Sequence, residues 1–141
     1  MAGTNEVGLI TLKDSDLMLT HAEDDVRGLT VVDARGDPIG EVHDLVVDEK
    51  ERRARFLVVA SGGFLGLGET KRLVPVDAVT EVDDVVHVEP SREEVHGALE
   101  FDPALEPWPD FEGVYSAYGY TPFWGPGYIN PRFFQRPGAK G

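Results

Sequence analysis

Short runs rich in β-branched residues, each ended by turn residues, make up the chain from Gly28 to Pro90. No apolar period in this stretch is long enough for a substantial helix. Thr30 to Ala34 and Ile39 to Val47 are predicted as strands on either side of the turn Arg35-Gly36-Asp37-Pro38, whose glycine can take a positive φ. The pattern therefore predicts an all-β meander in the middle of the chain.

The run from Arg53 to Ala60 carries apolar residues on both of its faces. Alternate side chains of an extended chain share a face. The face predicted to line the core consists of Ala54, Phe56, Val58 and Ala60. Leu57 and Val59 point the other way, and they require cover from a helix, the tail or another subunit. This second apolar face is the first indication of a partner surface.

Three shorter strands follow. Leu73 to Val76 contains Pro75, which indicates an edge or a strand end because proline donates no ladder hydrogen bond. Thr80 to Val82 and Val85 to Val88 are predicted to form a tight hairpin. A small closed or nearly closed barrel built from these strands has no long exposed edges. The residues predicted to be mostly buried in it are Val32, Phe56, Val58, Val74, Val76, Val86 and Val88.

A short helix is predicted after the barrel. Ser91 and Glu94 have the spacing of a capping box, so the helix should run from Arg92 to about His96 and end at Gly97. The predicted organisation is an N-terminal segment (1–24), a barrel domain (25–98) and a tail rich in proline, glycine and aromatic residues (99–141).

The tail differs in character from the barrel. Its prolines interrupt regular elements, and they are Pro103, Pro107, Pro109, Pro122, Pro126, Pro131 and Pro137. Its aromatic residues include all four tyrosines of the chain, and they are Trp108, Phe111, Tyr115, Tyr118, Tyr120, Phe123, Trp124, Tyr128, Phe133 and Phe134. We expect Trp108 to Tyr128 to be irregular, with at least part of it against the barrel, because full solvation of so many rings is unfavourable.

Composition excludes several classes of function. The absence of cysteine rules out thiol catalysis and thiolate metal sites. A net charge of −13 disfavours binding to duplex nucleic acid and to anionic lipid. No stretch approaches the ~18 apolar residues of a membrane span. These features predict an acidic cytoplasmic protein that does not contact a membrane.

Three stretches together resemble the PRC-barrel family. They are Asp25-Val26-Arg27-Gly28 to Gly40-Glu41-Val42-His43-Asp44-Leu45-Val46-Val47-Asp48, then Arg55-Phe56-Leu57-Val58-Val59, and Leu73-Val74-Pro75-Val76-Asp77-Ala78-Val79. The glycine before the first strand, the Gly-x-Val-x-Asp step and the Val-Pro-Val-Asp-Ala step coincide with the family's order and spacing. The resemblance covers roughly Val26 to Val88.

This resemblance implies a compact PRC-type barrel of about six short strands. The family includes the cytoplasmic domain of the photosynthetic reaction-centre H subunit and the C-terminal domain of a ribosome maturation factor, and both dock to other macromolecules. It brings no shared catalytic residues. The chain is similar to short stand-alone actinobacterial members that carry a glycine-rich apolar loop and an aromatic tail.

The loop Gly62-Gly63-Phe64-Leu65-Gly66-Leu67-Gly68 does not fit a phosphate cradle. It precedes a strand instead of opening a helix, and it lacks a Lys-Ser or Lys-Thr ending. Two interpretations stay open. Its apolar side chains either fold back onto the barrel or, with the glycines supplying the bends, dock to a partner.

The polar residues give only weak signals of chemistry. Asp14-Ser15-Asp16 and Glu23-Asp24-Asp25 lack the spacing of a calcium loop, so solvated acidic turns are favoured over a metal site. The histidines match no catalytic or zinc motif, and they are His21, His43, His87 and His96. Asp44, inside an apolar strand, is expected to accept backbone hydrogen bonds in a turn or bulge and not to act as a general base.

The sequence therefore predicts a non-catalytic module for protein interaction or assembly, with no cofactor, no metal and no evident small-molecule substrate. A protein partner or self-association is expected. The alternative, by analogy with the ribosome maturation factor in the family, is an RNA- or ribosome-associated factor. Separately, the tail's rings could also stack on bases or sugars. The candidate partner-binding residues are Phe64, Leu65, Gly66, Leu67, Tyr118, Tyr120, Phe123, Trp124 and Tyr128.

Overall fold

The computed structural model describes residues 8–13, 18–19, 22–62, 68–105 and 108–128. The strands are β1 (Leu9–Thr11), β2 (Thr30–Val32), β3 (Pro38–Asp48), β4 (Arg53–Ser61), β5 (Thr70–Pro75), β6 (Val79–Val82) and β7 (Val86–Val88). The α-helices are α1 (Arg92–His96) and α2 (Phe111–Tyr118). None of the described helices is long and apolar enough to cross a membrane.

All seven strands belong to one sheet in the order β5-β4-β3-β2-β7-β6, with β1 paired to β3. Neighbours are antiparallel except β2 and β7, which are parallel. The sheet curls into a half-barrel, and its edge strands β5 and β6 are joined by a short 3-10 turn, Val76–Ala78. The all-β barrel fold predicted from the sequence is confirmed.

Two bulges interrupt the long pair β3–β4. Val42 lies opposite Val59 and Asp44 opposite Val58, so His43 is the extra residue on β3. On β4 the extra residue is Arg55, because Val46 lies opposite Phe56 whereas the next residue, Val47, lies opposite Ala54. An extra residue reverses the alternation of side chains between the two faces of a strand.

These bulges correct the prediction for β4. Leu57 and Val59, together with Ala54, line the larger cluster inside the half-barrel, which we call the barrel core. Phe56 and Val58 instead face outward into a second buried cluster, which we call the tail core. Its members are Leu9, Val46, Phe56, Val58, Leu73, Phe101, Phe111 and Tyr115. Leu57 and Val59, which were predicted to need cover, therefore face the barrel core. Phe56 and Val58, which were predicted to line the core, face outward and are covered by the tail.

Among the residues predicted to be buried, all but one have almost no exposed surface. The exception is Val32, which is half-buried, whereas its neighbour Val31 is fully buried. β2 alternates so that Val31, and not Val32, faces the core. The register shift at this point adds a residue to β3, because Val31 lies opposite Gly40 and Val32 opposite Pro38.

Gly40 fits the close approach of β3 and β4. A Cβ atom at this position would lie 2.4 Å from the carbonyl oxygen of Ala60 and 2.9 Å from Val59 Cγ1. Such distances require the strand pair to move apart, so only glycine fits here. In the Gly-x-Val-x-Asp step, the glycine thus allows β3 and β4 to approach closely, and Val42 belongs to the barrel core.

The helix α1 has the bounds predicted from its capping box. Ser91 Oγ accepts from Glu94 N at 3.1 Å, and Glu94 Oε1 accepts from Ser91 N at 2.8 Å. The buried carboxylate of Asp33 also accepts from Arg92 N at 3.0 Å, which joins the start of α1 to the turn after β2. Gly97 terminates the helix as expected.

The tail is more regular than the sequence indicates, because it contains the eight-residue helix α2. Asp110 caps the N-terminus by accepting from Glu112 N at 3.2 Å, and Gly119 ends the helix in the left-handed conformation. Pro109 and Pro122 flank the helix and do not interrupt it. The prediction that the tail packs against the barrel is confirmed, since Phe111 and Tyr115 are buried in the tail core.

Candidate interaction surface

The described aromatic residues of the tail lie against the barrel to different degrees. Tyr118 and Tyr120 are half-buried beside the barrel core, and the Tyr120 hydroxyl donates to Glu89 Oε1. Phe123 is half-buried beside the tail core. Trp124 stays 41% exposed, with its ring edge-on to Phe123 at 5.1 Å. Of these candidate residues, Trp124 therefore presents the most surface to a partner.

Arg55, the bulged residue of β4, contacts both the tail and the barrel. Its side chain is only 3% exposed, and its Nε donates to Asp48 Oδ2 at 2.7 Å. Its Nη2 donates to Glu51 Oε1 at 2.6 Å. The guanidinium lies 4.2 Å from the ring centroid of Phe123, within the range of a cation–π contact, and 6.0 Å from that of Tyr128. One buried cation thus contacts both a barrel ion pair and two tail rings.

Asp77, on the 3-10 turn between β5 and β6, lies in the same region. Burial raises the pKa of its carboxyl, although Tyr128 and Arg55 oppose the shift. Burial, with the nearby Asp77 charge, also raises the pKa of the Tyr128 hydroxyl. Among the described residues, Asp77 Oδ1 and the Tyr128 hydroxyl find no hydrogen-bond partner of ordinary geometry. The Asp77 carboxyl is therefore a costly group to keep ionised under the tail.

A surface groove of about 410 Å³ lies beside the start of β5, where Thr70 and Lys71 line it. Leu99 and Leu105 line it and are 75% and 64% exposed, although large apolar side chains are usually buried. Its full lining is Glu69, Thr70, Lys71, Leu99, Glu100, Phe101, Asp102, Leu105 and Pro109. We call this feature the leucine groove.

Local hydrogen bonds hold the two leucines in place. Phe101 N donates to Lys71 O at 2.7 Å, which fixes the segment after Leu99 against β5. Leu105 N donates to Asp102 O at 3.0 Å and closes a turn that presents the leucine. Because the backbone around both leucines is bonded, they are presented in a preformed arrangement.

The polar residues of the leucine groove are mostly acidic. Glu69, Glu100 and Asp102 face one cation, Lys71, whose Nζ lies 3.7 Å from Glu69 Oε1. Arg72, beside the groove, lies 3.9 Å from Glu100. The groove therefore combines apolar contact area with negative charge.

Four of the sequence-predicted site residues, Phe64, Leu65, Gly66 and Leu67, lie outside the described residues. The chain enters and leaves this loop at Gly62 and Gly68. Glu69 and Thr70 follow directly and line the leucine groove. The glycine-rich loop is thus continuous in sequence with the groove.

The polar residues singled out from the sequence have structural partners. Asp44 Oδ1 accepts from Leu45 N at 2.8 Å and from Lys13 N at 3.1 Å, which confirms its predicted role beside a bulge. Asp25 pairs with Arg27 at 2.7 Å. Asp24 pairs with Arg53 at 3.0 Å and is fully buried, so the expectation of a solvated acidic turn is wrong for Asp24. His96 bonds to a backbone carbonyl of β3 at 2.9 Å. Asp14, Ser15, Asp16 and His21 lie outside the described residues.

A cluster on the β6–β7 hairpin has donor atoms of the types that hold metals. Glu81, Asp83 and His87 each bring one such atom to within 4.8 Å of the others. Asp83 already accepts from Val85 N and lies 3.1 Å from His87 Nε2. Asp83 is thus engaged within the hairpin, and exposed acidic groups of this kind are common without a metal.

Sequence reasoning missed the leucine groove and Arg55. Leu99 and Leu105 stand among other apolar residues and prolines, and no pattern distinguishes an exposed leucine there from a core leucine. Arg55 could have been noticed as a charge that interrupts an apolar strand. A buried charge requires partners, so that position carried a detectable signal.

The sequence profile of the PRC-barrel domain matches residues 20–95. The matched stretch contains β2 to β7 and most of α1, and it is more than half of the chain. The search of curated proteins found no match. The structure explains the Gly-x-Val-x-Asp step of the half-barrel sheet. Its glycine, Gly40, lies where β3 and β4 approach closely, and its aspartate, Asp44, lies beside a bulge. On this evidence the chain belongs to the PRC-barrel domain family.

Proposed function

We propose that this protein is a non-catalytic interaction module that docks a segment of another protein in the leucine groove. The observation that carries the proposal is the pair of exposed leucines, Leu99 and Leu105, which line one groove beside the start of β5. Preformed concave sites with apolar anchors and few polar groups are typical of binding surfaces. PRC-barrel domains often serve as protein-interaction modules, which supports the same function.

The chemistry of the groove defines the partner. Two leucine side chains favour aliphatic or aromatic groups, and the surrounding Glu69, Glu100 and Asp102 favour basic residues. A peptide segment that combines both fits this surface. A cytoplasmic location belongs to the same proposal, because the reaction-centre domain named in the family resemblance acts there.

An RNA-associated role is the alternative suggested by family resemblance. Binding to a phosphate backbone needs a basic face. The leucine groove has three acidic residues and one lysine, and the whole chain has a net charge of −13. The protein-binding function is therefore the one that we propose.

Replacement of both leucines tests the proposal. The tagged full chain is purified from its native cell after crosslinking, in parallel with Leu99→Ser/Leu105→Ser and with Met18→Ser. Met18 is 77% exposed and does not line the groove, so it is the matched control. If each leucine contributes about 1 to 2 kcal/mol, partner recovery should fall about tenfold or more in the double variant.

The control variant should recover the partners as the unaltered chain does, and nuclease treatment should not change the set. Melting temperatures of the variants establish that each is folded. Equal recovery by the leucine variant and the control would refute docking in the groove. Loss of the partners on nuclease treatment would favour the RNA-associated role.

A further inference from the structure

Residues 120–128, which we call the clasp segment, lie against the barrel through side-chain contacts. The Tyr120 hydroxyl donates to Glu89. The Phe123 ring centroid lies 4.2 Å from the guanidinium of Arg55. Within the described part of the chain, the backbone hydrogen bonds of the clasp segment join it to the tail and not to the barrel. The segment can therefore leave the barrel without breaking a strand pair.

The helix α2 and the clasp segment are attached to the barrel separately. Gly119 lies between them with a φ of 83°, a conformation that glycine adopts without steric cost. The helix has its own contacts in the tail core, since the rings of Tyr115 and Phe111 lie 4.8 Å and 5.2 Å from that of Phe56. Movement of the clasp segment about Gly119 thus leaves these contacts intact.

Carboxyl groups outnumber the cation beneath the clasp segment. Arg55 donates to Asp48 at 2.7 Å and to Glu51 at 2.6 Å, so its single positive charge already faces two carboxylates. Asp77 brings a third carboxyl within reach of the same cation. Ionisation of Asp77 therefore adds an excess negative charge to this cluster, at a place where burial weakens the screening by water.

Tyrosine hydroxyls face Asp77 from two elements, Tyr115 from α2 and both Tyr120 and Tyr128 from the clasp segment. Burial and nearby acidic groups, among them Asp77, raise the pKa of all three hydroxyls, so they stay neutral. Asp77 Oδ1 and the hydroxyls of Tyr115 and Tyr128 are buried without an ordinary partner among the described residues. A neutral carboxyl can donate to a hydroxyl, whereas a carboxylate only accepts and loses more by leaving water.

We propose that Asp77 is a pH-dependent switch that attaches the clasp segment to the barrel while its carboxyl is neutral and releases the segment when it ionises. On release, water reaches the carboxylate, and the rings of Phe123 and Tyr128 leave Arg55 and become accessible to a partner. The helix α2 stays on the tail core. None of these four side chains lines the leucine groove, so the switch does not depend on the docking function proposed above.

The direction of the switch follows from the same burial. Burial raises the pKa of Asp77 in the folded chain above the ordinary 3.8. A group of this kind favours the arrangement that buries it in acid, and this preference is lost as the pH rises through the folded pKa. The clasp segment is therefore attached at low pH and released at higher pH.

Fluorine NMR of the full chain labelled with fluorotryptophan tests the proposal, because the chain has only two tryptophans. Trp124 belongs to the clasp segment, and Trp108 packs edge-on to Phe111 at 6.0 Å as an internal control. Trp124→Phe assigns the two signals. From about pH 4 to about pH 8, the fraction of the Trp124 signal at its position in urea should rise at least about tenfold. The Trp108 signal should keep its folded position.

Two variants and one measurement without a variant identify the group responsible. Asp77→Asn should hold the Trp124 signal at its acid position throughout. Asp84→Asn, which removes an exposed carboxyl, should respond to pH as the unaltered chain does. In the unaltered chain, the carbon NMR signal of the Asp77 carboxyl should titrate with the same midpoint as the Trp124 signal.

Four results would overturn the proposal. They are a Trp124 signal that does not respond to pH in the unaltered chain, a response that persists in Asp77→Asn, different midpoints for the Asp77 carboxyl and Trp124, and a Trp108 signal that moves together with that of Trp124. The last would show that the whole tail unfolds and that no separate release of the clasp segment occurs.

Discussion

Among single residues, Arg55 contacts both the barrel and the tail. Its ion pair with Asp48 is almost completely buried, and its guanidinium lies 4.2 Å from the Phe123 ring centroid. A buried ion pair gains little net stability over apolar residues, but removal of one partner leaves an uncompensated charge in the interior. Arg55 should therefore tolerate substitution much less well than an exposed arginine.

The substitution Arg55→Met should lower the free energy of unfolding by about 3 to 5 kcal/mol, because Asp48 remains buried without its cation. Arg27→Met is the matched control, since Arg27 pairs with Asp25 at the same 2.7 Å but at the surface. Its cost should stay below about 1 kcal/mol. Urea unfolding measures both values. A cost for Arg55→Met as small as that of the control would show that the buried pair does not stabilise the fold.

Ionisation of Asp77 should make the folded state less stable as the pH rises. Burial raises its folded-state pKa above the ordinary 3.8, so the folded state binds more protons than the unfolded state just above that pH. Its contribution to stability therefore declines as pH rises from about 4 through the folded pKa. Asp77→Asn should remove this decline, and the variant's advantage over the unaltered chain should be larger at about pH 7 than at about pH 4.

Asp33 is the control, because its ionisation should make the folded state more stable as the pH rises. The hydrogen bond from Arg92 N lowers the pKa of its carboxyl. Its contribution is therefore present above the ordinary pKa and is lost as pH falls through the folded one. Asp33→Asn should cost more at neutral pH than in acid. Chemical unfolding across this pH range measures both variants, and the same sign for both would contradict the account of Asp77.

At the scale of elements, β4 separates two buried clusters. Leu57 and Val59 face the barrel core, while Phe56 and Val58 face the tail core. The helix α2 covers the second face, with Tyr115 and Phe111 at 4.8 Å and 5.2 Å from the Phe56 ring. The tail is therefore part of the folded unit, and its helix contributes to stability as a core element does.

Tyr115→Ala should lower the free energy of unfolding by about 3 to 5 kcal/mol, because it opens a cavity beside Phe56. Ala117→Ser, on an exposed position of the same helix, should change it by no more than about 0.5 kcal/mol. Urea unfolding again provides the measurement. If both substitutions have equally small effects, the contact between helix and barrel does not stabilise the protein.

The sequence predicts the elements better than the faces they present. The positions of β2 to β7, the capping box of α1 and the docking of the tail follow from local patterns, whereas β1 was not predicted. The faces of β4 do not, because alternation assumes an unbroken strand and nothing in the sequence marks Arg55 as an extra residue. The helix α2 could have been predicted from its capping residues Asp110 and Gly119. It was missed because the tail was judged by its number of prolines, although no proline lies between Pro109 and Pro122.

For the whole molecule, the function that we propose makes the barrel a scaffold that presents the leucine groove to partners. The leucine groove forms where β5, the segment after α1 and the turn at Leu105 meet. Residues from 69 to 109 contribute to it, so its members are scattered in sequence. Composition predicts an acidic interaction module, but only the fold brings Leu99 and Leu105 together.

A photo-crosslinking amino acid at position 104 tests the central claim most directly. Incorporated in place of Ala104 in the full chain and activated in the native cell, it lies at the groove beside Leu105, whereas the same group at position 22 lies elsewhere on the surface. Mass spectrometry identifies the adducts. We predict covalent adducts with another protein from position 104 and not from position 22. Adducts in equal amounts from both positions, or no adduct to another protein from position 104, would contradict the assignment of the leucine groove as a docking site.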